Sequence, residues 1–255
     1  MVLNEEPPMN VTHLTQSEKA ISEPATDKTK DFLLQAVILL GLVSIIFAAV
    51  PEVDLIVSGF FWTPGSGFEL NNNSDLIAFR DVNRFLPWAV IGAAAALLIP
   101  NPLLSIVKRP PAPHKLLFVI TFFAAGPGLF VHLIKMLVGR ARPRALQEFG
   151  GDAVFTPPWD LTDQCVRNCS FISGESASAF ALLTLVVLIK PKYSTLYLIA
   201  IGALAAAFSF TRVLHGAHFF SDVVIAWNVM LVLAVLIWRL FVRNAPQIDA
   251  LFAAR

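Results

Sequence analysis

A chain of 255 residues that is 56% hydrophobic, holds 21 phenylalanines and has only 15% charged residues is too apolar for a soluble domain, where about a quarter of residues carry charge. Its formal net charge of +1, with no basic stripe or patch on any segment, excludes a nucleic-acid partner. The composition is that of an all-α, polytopic membrane protein whose surroundings are the lipid bilayer.

Residues 1–30 are polar, mixed in charge and rich in Thr, Ser and Glu. They lack the basic start, apolar stretch and small-residue cleavage site of a secretory signal, and are expected to form a disordered cytoplasmic tail. A hydrocarbon core of about 30 Å needs roughly 20 apolar residues at the helical rise. Six stretches meet that requirement: Phe32 to Val50, Phe85 to Val107, Leu116 to Lys135, Ser170 to Ile189, Tyr193 to Phe210 and Phe219 to Trp238. Pro100 and Pro102 interrupt the second, and Gly126, Pro127 and Gly128 the third, so kinks or early ends are expected there. The membrane domain spans 31–243, and 244–255 are left as a short cytoplasmic tail.

With six helices threaded, Lys28, Lys30, Lys108, Arg109, Lys115, Lys190, Lys192, Arg239 and Arg243 all fall on one side. The positive-inside rule makes that side cytoplasmic, places both termini there, and turns the loops after the first, third and fifth helices outward.

In the first outer loop, PEVDLIVSGFFW, Val53, Ile56, Val57 and Phe60 recur at helical spacing opposite Glu52 and Asp54, which predicts a short helix lying in the membrane interface. The following GSGFELNNNSD is rich in turn formers. The second outer loop, Gly139 to Cys169, carries both cysteines, four residues apart in CVRNC. A Cys165–Cys169 disulfide and two unpaired thiols are both open. With no histidine beside them the pair makes a poor metal site.

Three clusters then fall on the outer side. KMLVGRARP brings Lys135 and Arg142 seven residues apart. They address one spot if the helix persists for two turns, whereas Pro143 favours an extended Arg142. SFISGES opens the fourth helix with Ser173 and Gly174, a pattern that presents free amides to an anion or is an ordinary cap. Glu175 is costly in the first turn of a membrane helix unless paired or functional. TRVLHGAHFFSD supplies Arg212, His218 and Asp222. The four-residue spacing puts histidine and aspartate on one helical face, where the carboxylate holds one ring nitrogen and leaves the other as a nucleophile; the alternative is a structural hydrogen bond.

Taken in order, these blocks resemble the signature of the type 2 phosphatidic acid phosphatase superfamily: K-x6-R-P, then P-S-G-H, then S-R-x5-H-x3-D. The first is intact, the third has Thr211 for serine, and the second has Ile172 for proline and Glu175 for histidine. Within the superfamily, PEVDLIVSGFFW looks most like bacterial lipid A phosphatases.

The resemblance implies a lipid phosphatase of the bacterial inner membrane with its site facing the periplasm. His218 would take the phosphoryl group as a phosphohistidine, with Asp222 orienting it. Lys135, Arg142, Arg212, Ser173 and the Gly174 amide would bind the phosphate oxygens. It implies no cofactor, no metal and no obligate protein partner. Glu175 stands where the family's proton donor stands, and His215 is a second candidate for that role. A good leaving group needs little acid help, which points to the anomeric 1-phosphate of lipid A or to a polyprenyl diphosphate. Undecaprenyl diphosphate and phosphatidylglycerophosphate are the alternatives of the same chemistry. A transporter or channel fits less well, because the ionisable residues gather at helix ends rather than at the midplane. Trp88 and Trp238 suit interfacial belts, Trp227 and Asn228 suit packing within the bundle, and Trp159 is either a lid over the site or loop packing.

Overall fold

The structure, a computed structural model, describes residues 12–99 and 110–253, with side chains described from Thr29 onward. Every named element is helical. Helices α1 (Thr12–Ala49), α2 (Glu52–Gly59), α3 (Ser74–Leu98), α4 (Pro113–Phe123), α5 (Val131–Val138), α6 (Gly174–Ala181), α7 (Pro191–Leu214), α8 (Phe220–Arg243) and α9 (Ala245–Ala253) follow one another in the chain. Among the described residues five segments are long and apolar enough to cross a membrane: Thr29–Ala49, Ser74–Leu98, Pro113–Ala145, Pro191–Leu214 and Phe220–Arg243. The shorter apolar Gly174–Leu188 stands between the third and the fourth of these and completes the six-fold threading.

Of the tail expected over 1–30, residues 1–11 lie outside the described residues, and the backbone from Thr12 onward belongs to α1. The end of the second stretch, with Pro100 and Pro102, also lies outside them. Its helix, α3, starts eleven residues before Phe85, at Ser74, where the Asn73 side chain accepts from the amides of Asp75 and Leu76 at 3.0 Å each. The opening turns of α3 carry Asp75, Arg80, Asp81 and Arg84, so hydropathy alone reads them as loop. Residues past Arg243, expected as a tail, form α9, which docks on α4: Asp249 accepts from the His114 amide at 2.9 Å and lies 2.8 Å from its ring Nδ1.

The interruption at Gly126–Gly128 does not end the third span. A π-turn over Ala124–Phe130 joins α4 to α5 and accommodates Pro127, which has no amide hydrogen to donate. Gly126 lies close to α8 there, since a Cβ on it would meet Met230 Sδ at 3.1 Å.

The bundle core is built where α4, α6, α7 and α8 meet around Phe122, Ala177, Ala181, Ala205, Ile225 and Met230, all fully buried. The alanines let the helix backbones approach, the usual device where lipid offers no hydrophobic drive for association. Trp88, 74% exposed, and residues such as Ile45 and Leu196 face outward, as a lipid-facing surface requires. At the opposite end of α4, Trp238 packs edge-on against Phe118. Trp159 packs on Phe171 and donates to Ser44 Oγ at 3.0 Å, which ties its loop to α1.

The helix expected after the first span is present as α2, but Asp54 on its polar face is turned inward. Ile56 and Phe60 are exposed, whereas Asp54 is fully buried. The reason is Arg140, also fully buried, in the loop after α5. Its guanidinium donates to Asp54 Oδ2 at 2.8 Å, Asp222 Oδ1 at 2.7 Å, Ser221 Oγ at 2.9 Å and the Thr156 carbonyl at 2.8 Å. Its Cζ lies 4.0 Å from the Phe219 ring centroid, a cation–π contact strengthened by desolvation. One side chain thus joins α2, the long loop and the start of α8.

Removing one partner of a buried ion pair leaves the others uncompensated, at a cost of about 3–5 kcal/mol. Arg140→Met should therefore lower the thermal melting midpoint of the detergent-solubilised protein by several degrees more than Asp54→Asn, which leaves the Arg140–Asp222 pair intact. Equal melting of all three proteins would show that Arg140 does not hold the fold.

Candidate active site

Four helix ends meet at one end of the bundle: the end of α5, the start of α6, the end of α7 and the start of α8. The first half of α3 packs against α6 beside them. The turn between α7 and α8 is the tightest part. Ala217 and His218 both donate their amides to the Arg212 carbonyl, at 3.0 and 3.2 Å, so His218 is locked to the last turn that carries Arg212. Gly216 makes this possible: its φ is +54, a region costly for a residue with Cβ, and a Cβ there would lie 2.5 Å from the Phe68 ring. The Gly216 carbonyl accepts from the Arg144 amide at 3.0 Å, which pins the turn to the loop that follows Arg142.

His218 is buried, with Nδ1 3.6 Å from Asp222 Oδ2 and Nε2 3.7 Å from Glu175 Oε2. Neither contact is short enough for a hydrogen bond, and both ring nitrogens are without a partner. Burial pushes the imidazole below its ordinary pKa and the Lys135 charge adds to this, while Asp222 and Glu175 act in the opposite sense. A neutral ring keeps a lone pair on one nitrogen. Asp222 is fixed on three sides: Oδ2 accepts from the Phe219 amide at 2.9 Å and from Ser170 Oγ, and Oδ1 accepts from Arg140. Its backbone carbonyl takes the Ser173 amide at 3.2 Å, so the starts of α6 and α8 are bonded to each other.

The cations arrive by different routes. Helix α5 stops at Val138 because Gly139 takes the left-handed conformation, and Arg142 is extended, with φ −86 and ψ 152, as the following Pro143 favours. Lys135 donates to the carbonyls of Cys169 and Ser170, the latter at 3.1 Å, and Arg142 donates to Asn168 O at 3.0 Å and Asn168 Oδ1 at 2.8 Å. Cys165 and Cys169 are joined as a disulfide, so the segment that holds both cations is itself a closed loop.

Arg212 is buried, with Nη1 3.0 Å from His215 Nδ1. A guanidinium can only donate, so Nδ1 accepts and the His215 proton sits on Nε2. Burial, followed by the Arg212 charge, pushes His215 down to about 4, and this imidazole is therefore neutral at ordinary pH. His215 Nε2 and Arg212 Nε are both buried without a hydrogen-bond partner. Ser173 caps α6, its hydroxyl accepting from Ser176 N at 3.3 Å and Ser176 Oγ at 2.8 Å. The Gly174 amide opens the helix, where no intrahelical acceptor reaches it.

Glu175 is the one acidic residue set among these groups besides Asp222. Oε1 accepts from Arg84 Nη2 at 2.7 Å and Nε at 3.1 Å, Oε2 lies 3.5 Å from Arg212 Nε, and the backbone carbonyl accepts from Asn83 Nδ2 at 2.9 Å. Every residue expected in the site from sequence thus lies at this end of the bundle. The sequence reading missed Arg140, Arg84, Asn83 and Ser170. Asn83 and Arg84 sit in a polar helical start with no motif. Arg140 lies within GRARP, where only its burial separates it from its neighbour Arg142.

A neutral buried imidazole ringed by guanidinium, ammonium and amide donors is an arrangement that receives a tetrahedral oxyanion and attacks it. Residues 115–246 match the model of the PAP2 superfamily. The chain is similar to a lipid A 4′-phosphatase of Francisella tularensis subsp. novicida, 31% identical over 196 residues that cover 73% of this chain and 87% of that protein. A lipid A 4′-phosphatase of Rhizobium etli is 28% identical over 71% of this chain and 76% of its own length. A lipid A 1-phosphatase of Rhizobium etli is 34% identical over 38% of each. No solved structure shows significant similarity to it. The chain belongs to the PAP2 superfamily and is a membrane-embedded phosphoric monoester hydrolase.

Proposed function

We propose that this protein removes a phosphate monoester from lipid A, with His218 as the nucleophile. The observation that carries the reading is the group of buried, unpartnered nitrogens at one turn: both ring nitrogens of His218, Nε2 of His215 and Nε of Arg212. Buried polar groups are ordinarily satisfied; the N–H groups of His215 Nε2 and Arg212 Nε suit the oxygens of a phosphate, and a lone pair on His218 suits its phosphorus. In the proposed reaction, Nδ1–H of His218 faces Asp222 and Nε2 carries the lone pair. Nε2 bonds to phosphorus as the bond from phosphorus to the sugar oxygen breaks. Water then cleaves the phosphohistidine and releases inorganic phosphate. Lys135, Arg142, Arg212, Ser173 and the Gly174 amide stabilise the charge on the transferring group. The loose 3.6 Å contact between His218 and Asp222 tightens when the phosphate is bound, as such contacts do.

Glu175, a carboxylate in the empty site, takes up a proton as the phosphate binds and passes it to the leaving oxygen. His215 is neutral and donates from Nε2, so it serves as a hydrogen-bond donor to the phosphate rather than as an imidazolium acid. The 4′-phosphate is the favoured position, because the relatives that align over more than two thirds of the chain are 4′-phosphatases. Glu175 in place of the family's histidine favours a second reading, the anomeric 1-phosphate, whose leaving group needs less acid help. Lys115, Lys190, Lys192, Arg239 and Arg243 lie at helix ends opposite the site. By the positive-inside rule these charges support a site on the periplasmic face of the inner membrane, with both termini in the cytoplasm.

Purified protein should release inorganic phosphate from lipid A, mass spectrometry of the product should locate the loss on the distal or the reducing sugar, and His218→Ala should lower turnover by about three orders of magnitude or more; full turnover in that variant would refute the nucleophile. Because folding lowers the His218 pKa, its neutral form persists to lower pH than a free imidazole's. The acid limb of kcat/KM should thus fall below the ordinary 6.5, and a limb at or above that value would contradict the buried neutral ring. Finally, Glu175→Gln should cost little on an anomeric phosphate and much more on a simple alkyl phosphate, with equal losses counting against a proton-donating role.

A further inference from the structure

Glu175 stands where the phosphate must go. Attack requires phosphorus about 3–3.5 Å from the nucleophilic nitrogen, and Glu175 Oε2 is already 3.7 Å from Nε2 of His218 and 3.5 Å from Arg212 Nε. A carboxylate and a phosphate cannot share this space, since both are anions and both need the same donors. Bound substrate therefore requires the Glu175 side chain to move, and the hold on its two oxygens is unequal. Oε2 makes no hydrogen bond to His218 or Arg212, whose Nε remains without a partner. Oε1 is gripped by two nitrogens of Arg84, at 2.7 and 3.1 Å, the short range of a charge-assisted bond.

The backbone around this pair is fixed, because the neighbouring Asn83, buried, donates to the Glu175 carbonyl at 2.9 Å. The Arg84 side chain is not confined. It is 51% exposed, and its further charged contact is Asp81, at 3.8 Å on the same helix. Asp81 is already held by Arg80 at 2.8 Å. Arg84 can move outward with its carboxylate, while Arg212, buried, cannot. The residue lies on α3, outside the 115–246 segment that matches the family, and belongs to none of the three signature blocks.

We propose that Arg84 is a positioning residue for Glu175: it tethers the carboxylate across His218 in the empty site and draws it aside when a lipid phosphate takes over Arg212 and His218. The inference rests on the phosphatase reading with His218 as nucleophile. In the empty enzyme the carboxylate neutralises Arg212 and excludes adventitious anions. In the occupied enzyme it remains on Arg84 at the rim of the phosphate, beside the leaving oxygen. Without Arg84, Glu175 retains only the inner cations as partners and competes with the phosphate for them.

The test is a double-mutant cycle in the full-length, detergent-solubilised protein, with lipid A as substrate and inorganic phosphate as the competing ligand. Arg84→Ala should raise both KM and the phosphate inhibition constant about fivefold, the scale of one partly exposed charge pair, with a smaller change in kcat. Glu175→Gln should lower the phosphate inhibition constant. In the Glu175→Gln background, Arg84→Ala should change it by less than about twofold, because the residue it acts through is gone. Arg84→Lys, which keeps a charge but not the fork, should recover part of the loss. An equal weakening by Arg84→Ala in both backgrounds would make Arg84 a direct phosphate ligand and overturn the proposal, as would no effect in either. Turnover by the unaltered protein reports the phosphatase reading separately, so failure of one is not mistaken for failure of the other.

Discussion

The structure depends on Arg140. Three carboxyl or hydroxyl side chains, Asp54, Asp222 and Ser221, and one loop carbonyl converge on a guanidinium with no exposure to solvent. A buried charge is tolerable only when paired and hydrogen-bonded, so these groups fold in together or not at all. The consequence reaches the site directly. Arg140 takes one oxygen of Asp222, the Phe219 amide and Ser170 hold the other, and the oxygen that faces His218 is left with a fixed direction. Precision at the histidine is thus set by a residue that does not touch it.

The same economy governs the cations. Lys135 and Arg142 are held by backbone carbonyls and one amide side chain rather than by carboxylates. A carbonyl orients an ammonium or guanidinium without cancelling its charge, which leaves the positive charge of the group uncompensated. Arg212 is held likewise by a neutral imidazole. Glu175 is the exception, and its weak contacts to Arg212 and His218 are of the kind that an incoming dianion displaces.

Much of this was legible in the sequence. Apolar stretches of membrane length are the strongest periodic signal a chain can carry, and they located the spans. The three blocks located the residues that meet at one end because motif spacing fixes position on helix ends. Legibility failed where polarity was judged against the wrong surroundings. Asp54 was set with Glu52 opposite the apolar positions of an interfacial helix, and nothing local to α2 announces an arginine 86 positions away. The polar start of α3 was read as loop because hydropathy does not distinguish a solvated face from one that packs on a polar site. The Cys165–Cys169 pairing was undecidable from spacing, and its use, closing the loop that holds Lys135 and Arg142, is visible only in three dimensions.

Placing the site at helix ends resolves a conflict that a membrane enzyme for charged lipids must meet. Cations at the bilayer midplane are expensive, yet the phosphate must be met where water is scarce enough for its charge to be felt strongly. Helix ends supply both conditions. The start of α6 brings the Gly174 amide, and the starts of α6 and α8 the positive ends of their dipoles, to the same spot, and His218 and Arg212 there are buried. The turn at Gly216 adds the last requirement, because it bonds the His218 amide to the carbonyl of Arg212. A histidine placed one helical turn deeper in α8 would lose those amides and enter the apolar interior. The Arg212–His218 spacing is therefore a property of the turn, and a lengthened turn would separate the buried imidazole from the buried guanidinium.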